Sequence, residues 1–199
     1  MAVITISRQM GSLGYEVANI VASKLGYRLV CRDLINQAAQ LAGAPEMALA
    51  AIDELGLFGF SPSPQMCQDY RQAVKQVMTD LADQGNVVIV GRAGQAILAD
   101  RDDSFHIRLI ASIERRVERI AQKHTISHEC ALAQVQASDQ HRTNYLRRCY
   151  GVRWGDPELY HLVINTDRIT ADQAALLICQ FVSIRSADTY LQSPIVREK

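Results

Sequence analysis

The chain alternates short, almost wholly apolar runs with longer amphipathic segments, and this alternation restricts the folds that it can adopt. The runs at 2–7 (AVITIS) and 86–90 (NVVIV) are rich in β-branched residues. Apolar runs of this kind are typical of parallel strands that are covered on both faces. The intervening segments carry apolar residues at helical spacing and can supply that cover. The sequence therefore predicts an α/β fold with helices on both faces of a parallel sheet.

The same periodicities predict where the elements lie. Strands are expected at 2–7, 27–31, 86–90, 104–111 and 161–165. Helices are expected at 15–25, 32–42, 46–55, 65–84, 112–122, 127–148 and 171–184, with a break in the sixth near Asp139. A chain of 199 residues suits one domain, which we place at 1–184 with a polar tail at 185–199.

Composition argues against several classes of protein. No stretch reaches the roughly 18 apolar residues of a membrane-spanning helix. Five cysteines are scattered without a CxxC pair, which favours reduced thiols in the cytoplasm over a disulfide framework or a zinc site. Net charge is zero, and no strand interleaves basic and aromatic residues as a nucleic-acid-binding surface would. We therefore expect a cytoplasmic protein that binds no metal through its own side chains and contacts neither membranes nor nucleic acids.

Arginine is concentrated in one part of the chain. Residues 101–153 contain nine arginines and one lysine against six acidic residues. The planar guanidinium binds two phosphate oxygens at once, so such an excess favours a focused anion site. Within it, Arg116 and Arg119 share a predicted helix, and Asp139 and Arg142 lie three apart on the next. The alternative is a solvated helix face with intrahelical ion pairs, and the residues alone leave both interpretations open.

Two loops follow predicted strands at the edge where parallel α/β sheets bind ligands. The first, RQMGSLG at residues 8–14, is called the glycine loop below. Its amides and the following helix N-terminus are suited to phosphate oxygens, although it matches neither GxGxxG nor GxxxxGK[ST]. The second places Arg92 directly after the run at 86–90. An ordinary structural turn and a surface arginine are the alternative interpretations.

Four segments in the same order resemble the cytidylate kinase-like family. They are ITISRQMGSLGYEVANIVASKLGYRLVCRDLI, VVIVGRAGQAIL, ASIERRVERI and the segment from DQHR to GVRWGDPELYHLVINT. The resemblance implies a P-loop kinase fold, three-layer α/β/α, with a five-stranded parallel sheet and a helical lid at about 112–150. It also implies transfer of a phosphoryl group from ATP–Mg²⁺ to a nucleoside monophosphate such as CMP.

The resemblance also implies roles for individual residues. Gly11, Ser12 and Gly14 match the phosphate loop and are expected to bind the ATP cofactor, and we add Arg8 as a candidate replacement for the lysine that this loop lacks. Those expected to bind the acceptor are Arg32, Asp33 and Arg92. Those expected to act in catalysis from the lid are Arg116, Arg119, Asp139 and Arg142. Small-molecule nucleotides are the expected partners, and the oligomeric state stays open, with a homodimer as one alternative.

The glycine loop departs from the usual kinase pattern. Leu13 replaces a glycine, Gly14 stands at the lysine position, and Tyr15 and Glu16 follow where a serine or threonine hydroxyl is usual. The lysine neutralises the transferring group and the hydroxyl holds Mg²⁺ in kinases of this type. Two hypotheses follow: a cytidylate-like kinase in which Arg8 or a lid arginine replaces the lysine, and a non-catalytic nucleotide-binding or regulatory protein that keeps the fold.

Overall fold

The computed structural model describes residues 2–31, 34–37 and 64–191. The predictions for Arg32, Asp33 and the helix at 46–55 fall outside these ranges. Within them, the strands are β1 (Val3–Arg8), β2 (Arg28–Val30), β3 (Val87–Val90), β4 (Ser104–Ile110) and β5 (Leu162–Asn165). The helices are α1 (Gly14–Leu25), α2 (Pro64–Gln84), α3 (Gly94–Ile97), α4 (Ile113–His124), α5 (His128–Tyr150) and α6 (Ala171–Leu191), with a 3₁₀ turn at Pro157–Leu159.

The five strands form one parallel sheet in the order β2-β3-β1-β4-β5. The central strand β1 pairs Val3 with Val87 on one side and with Ser104 on the other. Every connection is therefore a crossover that carries the chain back along one face of the sheet. The predicted three-layer α/β/α fold with a five-stranded parallel sheet is confirmed.

Successive side chains of a strand point to opposite faces of the sheet, and each face packs into its own hydrophobic core. In β3, Val87 and Ile89 pack with α2 and the end of α5, whereas Val88 and Val90 pack with α1 and α6. All four side chains are at most 2% exposed. A strand buried on both faces needs apolar residues at every position, which explains why these strands read as uninterrupted apolar runs.

Helices α4 and α5 pack on each other through a third, smaller core of Val117, Ile120, Ala131 and Val135. The predicted break near Asp139 is wrong, because α5 runs without interruption from His128 to Tyr150. Asp139 is accommodated in the helix by a partner on α4, which no local pattern reveals. We call α4 and α5 together the lid.

The last helix also differs from its predicted length. It was expected to end at residue 184 but continues to Leu191, since neither glycine nor proline occurs between 185 and 191. Within the described parts of the chain, no helix is long and apolar enough to cross a membrane.

Candidate active site at the glycine loop and lid

The glycine loop turns sharply between β1 and α1. Gly11 and Leu13 both have positive φ, of 80° and 61°, so two residues of the loop adopt backbone conformations that favour glycine. Leu13 is the N-cap of α1, and no side chain caps the helix there. The first amides of α1 therefore retain their capacity to bind an anion, and the helix dipole adds partial positive charge.

The lid packs directly against this loop. A Cβ atom at Gly11 would lie 2.7 Å from the Arg116 carbonyl oxygen and 2.9 Å from the Arg116 Cα. Only glycine allows the backbone of α4 to approach so closely. Arg119 secures the contact, because its Nη1 donates to the Gly11 carbonyl at 3.0 Å. The same side chain donates to Thr166 Oγ1 at 3.1 Å and to the Thr166 carbonyl at 2.6 Å.

Ser12 stabilises the glycine loop through hydrogen bonds to backbone carbonyls. Its side chain is fully buried and donates to the carbonyl oxygens of Gln9, at 2.9 Å, and Leu109, at 3.1 Å. Its own carbonyl accepts a hydrogen bond from Thr166 Oγ1 at 3.3 Å. The Ser12 hydroxyl thus holds the shape of the loop and is committed to backbone partners.

A cavity of about 220 Å³ lies between the glycine loop and the lid. Its lining includes Gly11, Gly14 and four basic side chains, those of Arg8, Arg119, Lys123 and Arg142. Glu16 is the acidic residue of this lining, and Lys123 lies 3.4 Å from it. Burial, and next the charge of Arg115, lower the pKa of Arg119 from its ordinary value, yet a guanidinium stays charged near neutral pH. The cavity therefore concentrates positive charge over the glycine loop.

The remaining lid residues have different surroundings. Arg116 and Asp139 form a two-pronged ion pair with distances of 3.0 and 2.9 Å, and the Arg116 side chain is 5% exposed. This pair ties α4 to α5, so both terminal amino groups of Arg116 already have a partner. Arg142 is buried, and its guanidinium carbon lies 5.9 Å from the centre of the Trp154 ring. Catalytic roles for Arg116, Arg119, Asp139 and Arg142 stay predictions.

Arg92 lies in a strained turn at the end of β3. Gly91, Arg92 and Ala93 all have positive φ, of 84°, 51° and 56°. Such strain in two non-glycine residues costs of order 1–3 kcal/mol each and is characteristic of functional sites. The Arg92 side chain is fully buried, with its guanidinium carbon 5.7 Å from the Tyr70 ring and 5.9 Å from the Tyr145 ring. Burial raises the pKa of Tyr145 well above its ordinary value, so that hydroxyl stays neutral.

Sequence reasoning missed a polar network centred on Arg108. This residue lies on β4 opposite Ser7 and is 7% exposed. Its Nη1 donates to the Trp154 carbonyl and, at 3.1 Å, to the Tyr160 hydroxyl, and its guanidinium carbon lies 4.5 Å from the Trp154 ring centre. Trp154 Nε1 in turn donates to Ser7 Oγ at 2.9 Å. An arginine inside an apolar strand was the available signal.

The structure thus brings five of the eleven predicted residues together in one cavity. Arg8, Gly11, Gly14, Arg119 and Arg142 line one cavity, and Arg108 joins them through the Trp154 ring that it shares with Arg142. Arg32 and Asp33 lie outside the described residues. Within residues 2–31, 34–37 and 64–191, no three His, Cys, Asp or Glu side chains form a group that could hold a metal ion.

Solved structures share this architecture. An uncharacterized protein from Eubacterium ventriosum aligns with a TM-score of 0.74 at 19% identity, over 92% of this chain and 99% of that one. A gluconokinase from Sinorhizobium meliloti aligns with a TM-score of 0.61 at 15% identity, over 97% and 98% of the two chains. At these identities the likeness concerns the fold alone, a three-layer α/β/α arrangement with a parallel sheet.

Sequence relatives are more specific. A cytidylate kinase of Ignicoccus hospitalis is 31% identical over 166 residues, covering 83% of this chain and 90% of that protein. A cytidylate kinase of Pyrococcus horikoshii is 30% identical over 167 residues, covering 83% and 80%. Residues 3–168 also match the family model of the cytidylate kinase-like family. The chain therefore belongs to the cytidylate kinase-like family.

Proposed function

We propose that the protein transfers the γ-phosphoryl group of ATP to a nucleoside monophosphate, with CMP as the acceptor. The observation that carries this proposal is the basic cavity between the glycine loop and the lid. Phosphoryl transfer depends mainly on holding two anionic reactants in line and neutralising their charge. The arrangement of arginines suits this task, and the cytidylate kinases among the relatives indicate the acceptor.

The donor end is the glycine loop. The tight turn with positive φ at Gly11, the uncapped N-terminus of α1 and the basic lining fit a chain of phosphates. Arg8 and the backbone at Gly11 and Gly14 would hold them, while Ser12 and Arg119 brace the loop through their hydrogen bonds to backbone carbonyls. Mg²⁺ is usually bound through substrate phosphates, water and one or two protein ligands, so it requires no dedicated cage. When bound with ATP, it would neutralise charge on the phosphates.

We assign the acceptor end to Arg92, Arg108 and Arg142, which are each at most 9% exposed. Buried guanidinium groups at one sheet edge favour a ligand with a doubly charged phosphate. In the transfer step, an oxygen of that phosphate forms a bond to the γ-phosphorus. The bond from the γ-phosphorus to the bridging oxygen breaks, and ADP leaves. The acceptor is already ionised, so no protein base has to remove a proton.

The alternative is a nucleotide-binding protein without turnover. It is favoured by the glycine loop itself, in which Gly14 offers no side chain and Leu13 occupies a left-handed conformation that suits glycine. Loss of one charge-stabilising donor typically slows a reaction by about 10²–10³-fold. The two functions therefore differ in whether another cation replaces the lysine.

The test is to incubate the purified protein with ATP, Mg²⁺ and each of CMP, dCMP, UMP and AMP, and to follow ADP by a coupled assay and the diphosphate product by ³¹P NMR. We expect CDP to form fastest. Calorimetric titration with ATP separates the alternatives. Binding of ATP without any diphosphate product would contradict the kinase proposal and support the binding protein.

A further inference from the structure

The side chain of Arg8 occupies the space where a side chain at Gly14 would lie. A Cβ atom at Gly14 would lie 2.5 Å from both the Cβ and the Cγ of Arg8, and 3.5 Å from its Cδ. Gly14 is the first residue of α1, and its φ is not in the left-handed range. Its backbone therefore does not require glycine. The residue lacks a side chain because the stem of Arg8 runs through the place where that side chain would begin.

The two positions are also related by sequence. In the loop GxxxxGK[ST], the lysine follows the first glycine by six residues, the separation of Gly14 from Arg8. In that motif the first position is bare and the seventh carries the cation. Here the first position carries the cation and the seventh is bare. Their contact explains the exchange, because the space at this point accommodates one long side chain and not two.

Two other cations of the cavity reach it from the lid and not from the loop. Arg119 extends from α4 and donates to Gly11 and Thr166. Lys123 lies near Glu16 with 61% of its side chain exposed, where a charge interacts weakly. Arg8 lines the same cavity as Gly11 and Gly14 and is only partly exposed. It emerges from the loop itself, as the motif's lysine does.

We propose that Arg8 supplies the positive charge that the lysine provides in other P-loop kinases, reaching the β- and γ-phosphates of ATP across Gly14. This inference rests on the proposed ATP-dependent function. A guanidinium can bind two phosphate oxygens in parallel, so the exchange keeps the charge and adds a fork of donors. The departure at Gly14 is then a relocation of the cation within the loop.

The decisive experiment moves the cation back. Arg8→Ala should raise the dissociation constant of ATP, measured by calorimetry, by roughly 10- to 100-fold, the usual effect of one charged hydrogen-bond donor. Gly14→Lys alone should also weaken ATP binding, because the new stem collides with Arg8. The double variant Arg8→Gly with Gly14→Lys should bind ATP within about threefold of the native protein.

Adenosine is the control ligand, since it lacks phosphates and should bind Arg8→Ala and the native protein equally. Arg28→Ala is the matched control variant. Arg28 lies exposed at the start of β2, bonded to Gln84 at 2.9 Å, and its loss should leave ATP binding unchanged. Thermal unfolding of each variant checks that it folds, and Arg8→Lys offers a milder change that should retain most of the affinity.

The outcomes separate this inference from the proposed function. Native ATP affinity in Arg8→Ala would overturn the inference, even if the native protein forms CDP. Failure of the folded double variant to recover any affinity lost in the single variants would also count against it. If the native protein binds ATP without turnover while Arg8→Ala loses that binding, the kinase proposal fails and the role of Arg8 in binding phosphates stands.

Discussion

The contact between Gly11 and the backbone of Arg116 gives a quantitative prediction. Gly11→Ala puts a methyl group 2.7 Å from the Arg116 carbonyl oxygen and 2.9 Å from its Cα, atoms that move only if α4 moves. Overpacking against fixed atoms costs about 1–3 kcal/mol. Forcing alanine into positive φ adds about 1 kcal/mol. We therefore expect the free energy of unfolding to fall by about 2–4 kcal/mol.

Gly26 provides the matched control. It has a φ of 67°, close to the 80° of Gly11, but a Cβ there would meet nothing within 4 Å. Gly26→Ala should therefore cost only the backbone contribution of about 1 kcal/mol. Urea denaturation of both variants measures the difference, and the melting temperature should fall by about 2–4 °C for each kcal/mol. Equal losses in the two variants would refute the argument that the lid packs tightly on the glycine loop.

Three further changes test other parts of the molecule. Asp139→Asn leaves the buried Arg116 without its ion pair and should lower the free energy of unfolding, measured in urea, by about 2–3 kcal/mol. Glu118→Gln removes a partner from an exposed ion pair and should cost less than about 0.5 kcal/mol. Leu13→Gly relieves the strain of a positive φ but removes a half-buried side chain, so the two effects oppose each other. We expect the free energy of unfolding to change by less than about 1 kcal/mol in the same assay. A larger loss would show that the side chain is essential to the core. Burial, and next the charge of the stacked His161, lower the pKa of His106 from 6.5 to about 4, so as the pH falls the unfolded chain takes up a proton before the folded protein does. The free energy of unfolding should therefore decrease by about 3 kcal/mol between pH 6.5 and 4. Urea denaturation across this range measures the decrease, and His106→Asn should flatten the pH dependence.

Patterns of neighbouring residues were sufficient to predict the sheet. The predicted bounds of all five strands agree with the structure to within one residue. At least four of them are near-continuous apolar runs, because a strand covered on both faces has little freedom of composition. Element ends do not follow from the local sequence where long-range partners decide them. Helix α5 continues through Asp139 because Arg116, 23 residues earlier in the chain, takes up its charge.

The position of the candidate site at the ends of the strands follows from the sequence, whereas the contacts within it do not. Arg92 could be placed because a residue that follows a central parallel strand must lie at the ligand-binding edge. Arg108 could not, since its partners Trp154 and Tyr160 are 46 and 52 residues away and meet it only in the folded chain. The exclusion between Arg8 and Gly14 likewise depends on the pitch of the turn between β1 and α1.

The hydrogen bonds of Arg119 have a consequence for how the two substrates influence one another. One guanidinium joins the carbonyl of Gly11 to the end of β5 at Thr166, so the lid cannot swing away without releasing the loop. Arg142, on the same lid, shares the Trp154 ring with Arg108, and we have proposed that both bind the acceptor. Occupation of either end should therefore favour the same lid position, and linkage requires the effect to be reciprocal. The acceptor should tighten ATP by the same factor as ATP tightens the acceptor.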